Sequence, residues 1–378
     1  MTMRSIGIML AAGTMLAAAP AQAQDKAKDG VAPQRARNII LFLGDAGGVP
    51  TLNAAGIMAH DRPQSLFIHS MPHVGLSDTS ALDNWVTDSA AGMTAIMTGH
   101  KTNSGMVSAL PGADGAITPV KSFLEYAEQR GLSTGVVTNM PIWDATPAAC
   151  FAHVASRKDK DQIFRQMLAP RFGNGVDILI GKGHADAVAS FAKDGTTPQQ
   201  AFAEAGYRFG NDTVLVKEAG RAAVLRDVEY APIPAVEATI GELARNPKGY
   251  FLMVEWDMHT DKPENGLKHV LEMDDMIRRV SAIAGEDTLI LFTADHSFGL
   301  RMNSGKRNAP MGQQYAAAAA KPDATVASNA IIGVEDNHTG EEVIAAAAGP
   351  RADQVHGFFP NTRLFDVMLT AMGWNKED

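Results

Sequence analysis

Asn38-Ile39-Ile40-Leu41-Phe42-Leu43-Gly44-Asp45-Ala46-Gly47-Gly48 is the stretch on which the fold turns. Its first six residues form a continuous apolar run, the pattern of a strand covered on both faces as in a parallel sheet. The run stops at a glycine-rich loop that carries Asp45. Open α/β sheets build their crevices outside the carboxyl ends of their strands, so this carboxylate is a candidate site residue from its position alone.

The same pattern recurs downstream. Residues 135–138 follow an amphipathic helix over 122–130 and lead to Asp144 and Thr146, residues 250–254 end on Glu255, and 288–293 end on Asp295 and His296. Helical periodicity fills 51–60, 264–284 and 362–372, with Leu267, Val270, Leu271 and Met273 forming the apolar face of the second. Strand alternating with helix predicts an α/β fold, a central mostly parallel β-sheet with helices on both faces. Further strand candidates are 176–180 and 343–348. The less regular 184–250 is expected to place helices on one side of the sheet. The polar, alanine-rich 303–336 reads as a long excursion near the site, with 316–320 an ordinary helical or loop stretch. No internal repeat is visible.

Composition narrows the class of function. With 378 residues, 46% hydrophobic and 20% charged, the chain can bury a large core. Its net charge of −9 and lack of a basic run argue against a nucleic acid or an anionic membrane as partner. Cys150 is the only cysteine, which excludes an intramolecular disulfide. At the N-terminus, Arg4 precedes an apolar run over 6–19 and then Ala21-Gln22-Ala23, the pattern of a signal peptide cleaved before Gln24. We therefore expect a leader over 1–23, a flexible segment over 24–37, one large domain over 38–378, and a periplasmic or secreted location. No later segment reaches the ~20 apolar residues of a membrane span.

Val86-Thr87-Asp88-Ser89-Ala90-Ala91-Gly92-Met93-Thr94-Ala95-Ile96-Met97-Thr98-Gly99 pairs a hydroxyl with the start of a helix. Free N–H groups and the dipole at that end favour anions and ease conversion of a hydroxyl to an oxyanion. That suits phosphate chemistry. Taken alone, Asp88 or Ser89 reads as a plain N-cap, since caps are common and nucleophiles rare. The company it keeps decides the matter: Asp45, Asp144, Thr146, Glu255, Asp295, His296 and His338 form a metal-ligand set. Carboxylates with a hydroxyl suit Mg²⁺, and histidines mixed with aspartates suit Zn²⁺.

From 38 to the C-terminus the chain resembles the alkaline phosphatase family. The motifs that carry the likeness are L-G-D-A-G-G from Leu43, V-T-D-S-A-A from Val86, W-D-A-T-P-A-A from Trp143, A-H-V-A-S-R from Ala152, V-E from Val254, T-A-D-H from Thr293 and H-T-G-E-E-V from His338. Their number and order make the signal strong. The resemblance implies the sandwich fold of that family and hydrolysis of a small-molecule phosphate monoester to inorganic phosphate. It implies that Ser89 is a nucleophile phosphorylated during turnover and that Arg157 grips the phosphate. It implies two zinc ions and one magnesium ion. Asp45 would bridge the magnesium and one zinc, Asp295 and His296 would complete that zinc site, and Asp144, Thr146 and Glu255 would complete the magnesium site. His338 would hold the second zinc. Family members are often homodimers.

The sequence departs from the family at the other ligands of that second zinc. Relatives have an aspartate followed four residues later by a histidine, whereas this chain has the shorter Glu255-Trp256-Asp257-Met258-His259-Thr260-Asp261-Lys262. Asp257 and His259 are the preferred ligands, with Asp261 the rival; four residues beyond Asp261 stands Asn265, a poor zinc ligand. Ser297-Phe298-Gly299 after His296 is a second departure. His60, His69, His73, His100, His184, His269 and His356 fall in no matched motif and read as structural. His153 reads as a structural hydrogen-bonding residue, and Trp143 and Trp256 as packing walls. Within enzymes the alternative is a phosphodiesterase of the same superfamily; outside them it is a phosphate or metal binder without turnover. A sulfatase would need a proline and an arginine after the nucleophile, and Ala90-Ala91-Gly92-Met93 supplies neither.

Overall fold

The computed structural model describes residues 35–218, 220–321, 324–325 and 327–376; the expected leader lies outside them. The chain opens with β1 (Asn38–Asp45), α1 (Val49–His60), β2 (His73–Asp78) and α2 (Ser89–Thr98). A small hairpin of β3 (Ala109–Pro111) and β4 (Ile117–Pro119) leads to α3 (Phe123–Gln129), β5 (Ser133–Pro141), α4 (Ala145–Ala148) and α5 (Lys160–Leu168). Then come β6 (Ile178–Lys182), α6 (His184–Ala192), α7 (Pro198–Glu204), β7 (Arg208–Gly210), β8 (Ala222–Arg226) and α8 (Pro232–Leu243). The last third holds β9 (Tyr250–Asp257), α9 (Pro263–Ile283), β10 (Thr288–Thr293) and a hairpin of β11 (Ser297–Met302) and β12 (Ile332–Thr339), with α10 (Met311–Ala319) between its arms. β13 (Val343–Ala348), β14 (Gly357–Pro360) and α11 (Arg363–Met372) complete the chain.

Ten strands form one sheet in the order β14-β2-β13-β10-β1-β9-β5-β6-β8-β7. The strands run parallel apart from β13, which lies antiparallel to both β10 and β2. β1 sits near the centre, and its apolar run explains why: Ile39, Leu41 and Leu43 enter the core on one face, and Ile40 and Phe42 that on the other. The first core takes side chains from α2, α3, α5, α6, α7 and α11, the second from α1, α8, α9 and α10. Each fully buried Leu, Ile or Phe in these layers contributes roughly 1.5–3 kcal/mol of transfer free energy, and the sheet is covered on both sides.

The predicted strands at 38–43, 135–138, 250–254, 288–293 and 343–348 are all present, and 176–180 is realised as Ile178–Lys182. The region 184–250 departs from expectation. It supplies strands β7 and β8, and its helices divide between the faces, α6 and α7 on one and α8 on the other. The excursion 303–336 is likewise more ordered than its composition suggests. It carries α10, and its end becomes β12, paired antiparallel with β11.

One buried carboxylate stands apart from any strand end. Glu128, late in α3, accepts a hydrogen bond from the Thr134 hydroxyl, and both its oxygens face the interior. Burial, aided by the neighbouring Asp177, pushes its pKa up to about 7. The folded state therefore holds this proton more tightly than the unfolded chain does, and its contribution to stability is lost as pH rises through about 7. Glu128→Gln should match the wild-type melting temperature near pH 4.5 and exceed it at pH 8. An equal offset at both values would show that the carboxyl does not titrate in this window.

Candidate active site

Register delivers the ligands. Pairing of β1 with β9 sets Leu43 against Glu255 and Asp45 against Asp257, and pairing with β10 sets Leu43 against Thr293, two residues before Asp295. β5 places Thr138 against Glu255 on the far side of β9. Four neighbouring parallel strands thus discharge their polar ends at one edge of the sheet, as the apolar runs predicted.

α2 brings in Ser89. Asp88 is its N-cap, accepting the Ala91 N–H at 3.1 Å, and Gly99 closes it in the left-handed conformation. Ser89 is the first residue of the helix and is buried. Its Oγ lies 3.2 Å from His296 Nε2 and 3.5 Å from Asp45 Oδ1. Gly92 permits this approach: a Cβ there would stand 2.6 Å from the carbonyl oxygen of Asp295.

Two groups of side chains converge beside Ser89. Asp45, Asp295 and His296 bring ligand atoms within 4.8 Å of one another, and so do His259, His296 and His338. His338 Nδ1 sits 2.9 Å from the Thr87 carbonyl and His296 Nδ1 3.1 Å from the Ser297 carbonyl. Both carbonyls are acceptors only. Each Nδ1 therefore carries the proton and each Nε2 keeps the lone pair that a metal requires. His259 Nδ1 lies 2.8 Å from Asp257 Oδ1 and 3.8 Å from Asp45 Oδ1. Asp261, the rival, is exposed; neither it nor Asp257 belongs to either group, and Asp257 stands behind His259 as its hydrogen-bond partner.

Electrostatics and unmet valence both point to missing cations. Burial would raise the Asp45 carboxyl, but His259, His296 and Arg157 outweigh it and hold the group below the usual carboxylate range. Burial and the charge of Asp45 push Asp295 up to about 6 and Glu255 well above its ordinary value. His259 is raised to about 9, because Asp45 and Asp257 overcome its burial. Glu255 Oε1, Asp295 Oδ2 and Thr146 Oγ1 are buried with no hydrogen-bond partner. Buried polar atoms rarely go unsatisfied, and these three, each on a predicted ligand, fit coordination of a metal.

Arg157 spans two carboxylates, with Nη1 3.2 Å from Asp88 Oδ2 and Nη2 2.8 Å from Asp144 Oδ1. Asp144 also caps α4, which carries Thr146. The guanidinium is thereby fixed between the N-cap of α2 and the start of α4, the helix bearing Thr146. The family model for alkaline phosphatase matches residues 36–229 and 223–329. The chain belongs to the alkaline phosphatase family.

Alkaline phosphatase 4 of Bacillus subtilis is 28% identical, over 95% of this chain and 92% of its own length. Streptomycin-6-phosphate phosphatase of Streptomyces griseus is 30% identical, over 95% of each. The solved structure of the alkaline phosphatase from the Antarctic bacterium TAB5 superposes with a TM-score of 0.74 at 21% identity, covering 90% of this chain and 99% of that one, which establishes the shared fold. As a member of this family the chain is a phosphatase, with a phosphate ester as substrate and phosphate as product. Metal cofactors follow from the family and from the two ligand groups. No described helix is long and apolar enough to cross a membrane.

Some readings sharpen. His153 is structural, its Nδ1 2.7 Å from the Ser108 carbonyl and its Nε2 3.0 Å from Glu125. Trp256 is buried with its indole N–H on Glu272, and Trp143 donates to Asp186, so both are walls. His269 has the structural place its lack of a motif implied: its Nδ1 lies 2.6 Å from the Asp257 carbonyl, bracing the segment that carries Asp257 and His259. Asn139, whose side-chain oxygen accepts the Asp257 N–H at 2.8 Å, braces the same segment and was not singled out from the sequence, where it falls in no motif.

Gly92→Ala should cost about 1–3 kcal/mol through overpacking against Asp295 and should lower the melting temperature and kcat together. A stable variant with wild-type kcat would show that the contact of α2 with Asp295 does not set the position of Ser89.

Proposed function

We propose that this chain is an exported phosphomonoesterase dependent on zinc and magnesium that works through a phosphoserine at Ser89. The observation that carries the reading is the position of Ser89 Oγ, 3.2 Å from His296 Nε2 at the N-terminus of α2, beside two groups of metal-type ligands. Asp45, Asp295 and His296 would hold one zinc, and Asp257, His259 and His338 the other. Asp45, Asp144, Thr146 and Glu255 would hold magnesium. Once bound, the metals supply Lewis acidity that activates the serine hydroxyl and stabilises the departing oxygen.

The chain's own residues do the rest. Arg157 presents two N–H groups in a planar fork suited to two phosphate oxygens, and its pairing with Asp88 and Asp144 keeps that fork in place. The first N–H groups of α2 face the same charge. Ser89 Oγ forms the new P–O bond as the bond to the leaving alcohol breaks in line, and the alcohol departs with a proton. Water then attacks the phosphoserine from the vacated side, giving inorganic phosphate and the free hydroxyl. A monoester presents three non-bridging oxygens for Arg157 and the magnesium ligands to engage, which favours it over a diester. Export is supported by Arg4, the apolar 6–19 run and Ala21-Gln22-Ala23.

Ser89→Ala should lower kcat for nitrophenyl phosphate roughly 10³–10⁶-fold while the melting temperature stays close to wild type. Chelation should abolish turnover, and zinc with magnesium should restore it. The wild type should prefer the monoester to the bis-nitrophenyl diester. Unchanged turnover in the serine variant would remove Ser89 as nucleophile, and a preference for the diester would favour the phosphodiesterase reading.

A further inference from the structure

Trp256 is almost wholly buried, whereas Trp85 is 89% exposed, next to Leu82 at 57% and Val86 at 44%. A frayed loop would explain such exposure, but this loop is tied down. The Leu82 N–H donates to the Thr102 carbonyl at 2.8 Å and the Ala81 N–H to the Asn84 carbonyl at 3.0 Å. Across the same gap, the Ser104 N–H donates to Asp83 Oδ1 at 2.9 Å and Asn84 Nδ2 to Ser104 Oγ at 3.1 Å. A large amphipathic ring is therefore held in water by a fixed backbone. Aromatic residues so placed are typical anchors for a ligand.

The location says which ligand. Trp85 lies four residues before Ser89, and the intervening Thr87 carbonyl receives the His338 Nδ1–H. A Cβ on Gly340, two residues after His338, would stand 3.3 Å from the Trp85 carbonyl oxygen, so the two segments touch. Trp85 therefore stands on the rim beside His338, one of the side chains that would hold the second zinc. Resting on the phosphomonoesterase reading, we propose that Trp85 is the leaving-group platform, stacking on an aromatic ring of the departing alcohol and determining specificity for it.

Charge on the rim refines the class. Asp83, Glu341 and Glu342 are exposed on the two segments that meet at Trp85. Lys101, on the loop behind, is committed to Asp78 at 2.9 Å. The rim thus repels alcohols that carry further phosphate or carboxylate groups and accepts neutral or cationic ones.

The test compares 2-phenylethyl phosphate with ethyl phosphate, whose alcohols have similar acidity, in the full chain loaded with metal. Trp85→Ala should reduce the ratio of kcat/KM for the phenylethyl over the ethyl ester about fivefold to tenfold, chiefly through KM, and Trp85→Phe should restore most of it. An equal change with both esters, or none with either, overturns the proposal. If Trp85→Ala instead converts a dimer to a monomer and slows both esters alike, the ring belongs to a contact with a second copy and the proposal fails. Wild-type turnover of ethyl phosphate is read separately: its absence would strike the phosphomonoesterase reading itself.

Discussion

One carboxylate oxygen, Asp45 Oδ1, is the point on which the structure converges. Ser89 Oγ, His296 Nε2 and His259 Nδ1 all lie within 3.8 Å of it, and Asp295 and Glu255 are buried nearby under its field. Buried carboxylates this close cannot all ionise without compensation. The chain meets the difficulty with histidines, with Arg157 and with ligand geometry that calls for cations. The result is a centre whose folded charge balance and whose chemistry have the same requirement.

That convergence depends on topology. Parallel register forces β1, β9 and β10 to end at one edge, so residues more than 200 positions apart meet without any long loop being folded inward. α2 then has to approach that edge closely, which is why it is built mostly from Ser, Ala, Gly, Thr and Met, with Ile96 the one branched aliphatic, and buried along its whole length. The hairpin of β11 and β12 returns His338 over the site, opposite Phe298, whose ring lies 5.0 Å from that of His259.

The central strands were readable because burial on both faces writes an unbroken apolar run, and their ends then named Asp45, Glu255 and Asp295. β2, β7 and β14 were not read: they lie toward the sheet's margins, are short or interrupted by glycine, and lack that run; the run of β8, Ala222-Ala223-Val224-Leu225, is short and half alanine. β12 carries the exposed polar stretch Glu335-Asp336-Asn337, so the excursion looked irregular. At the site, residue identity gave the ligands that share a motif, whereas the choice between His259 and Asp261 turns on the path of the chain after β9. That path is braced by contacts from Asn139, 118 positions from Asp257, and His269, 12 positions from it, both silent as motifs.

If cations complete the charge balance around Asp45, they should be retained on purification. Elemental analysis of the mature protein, dialysed without chelator, tests this most directly. The account predicts about two zinc ions and one magnesium ion per chain, with His259→Ala losing one zinc. One zinc or none in the wild type would contradict it, leaving the shortened segment after β9 as a site without a second metal.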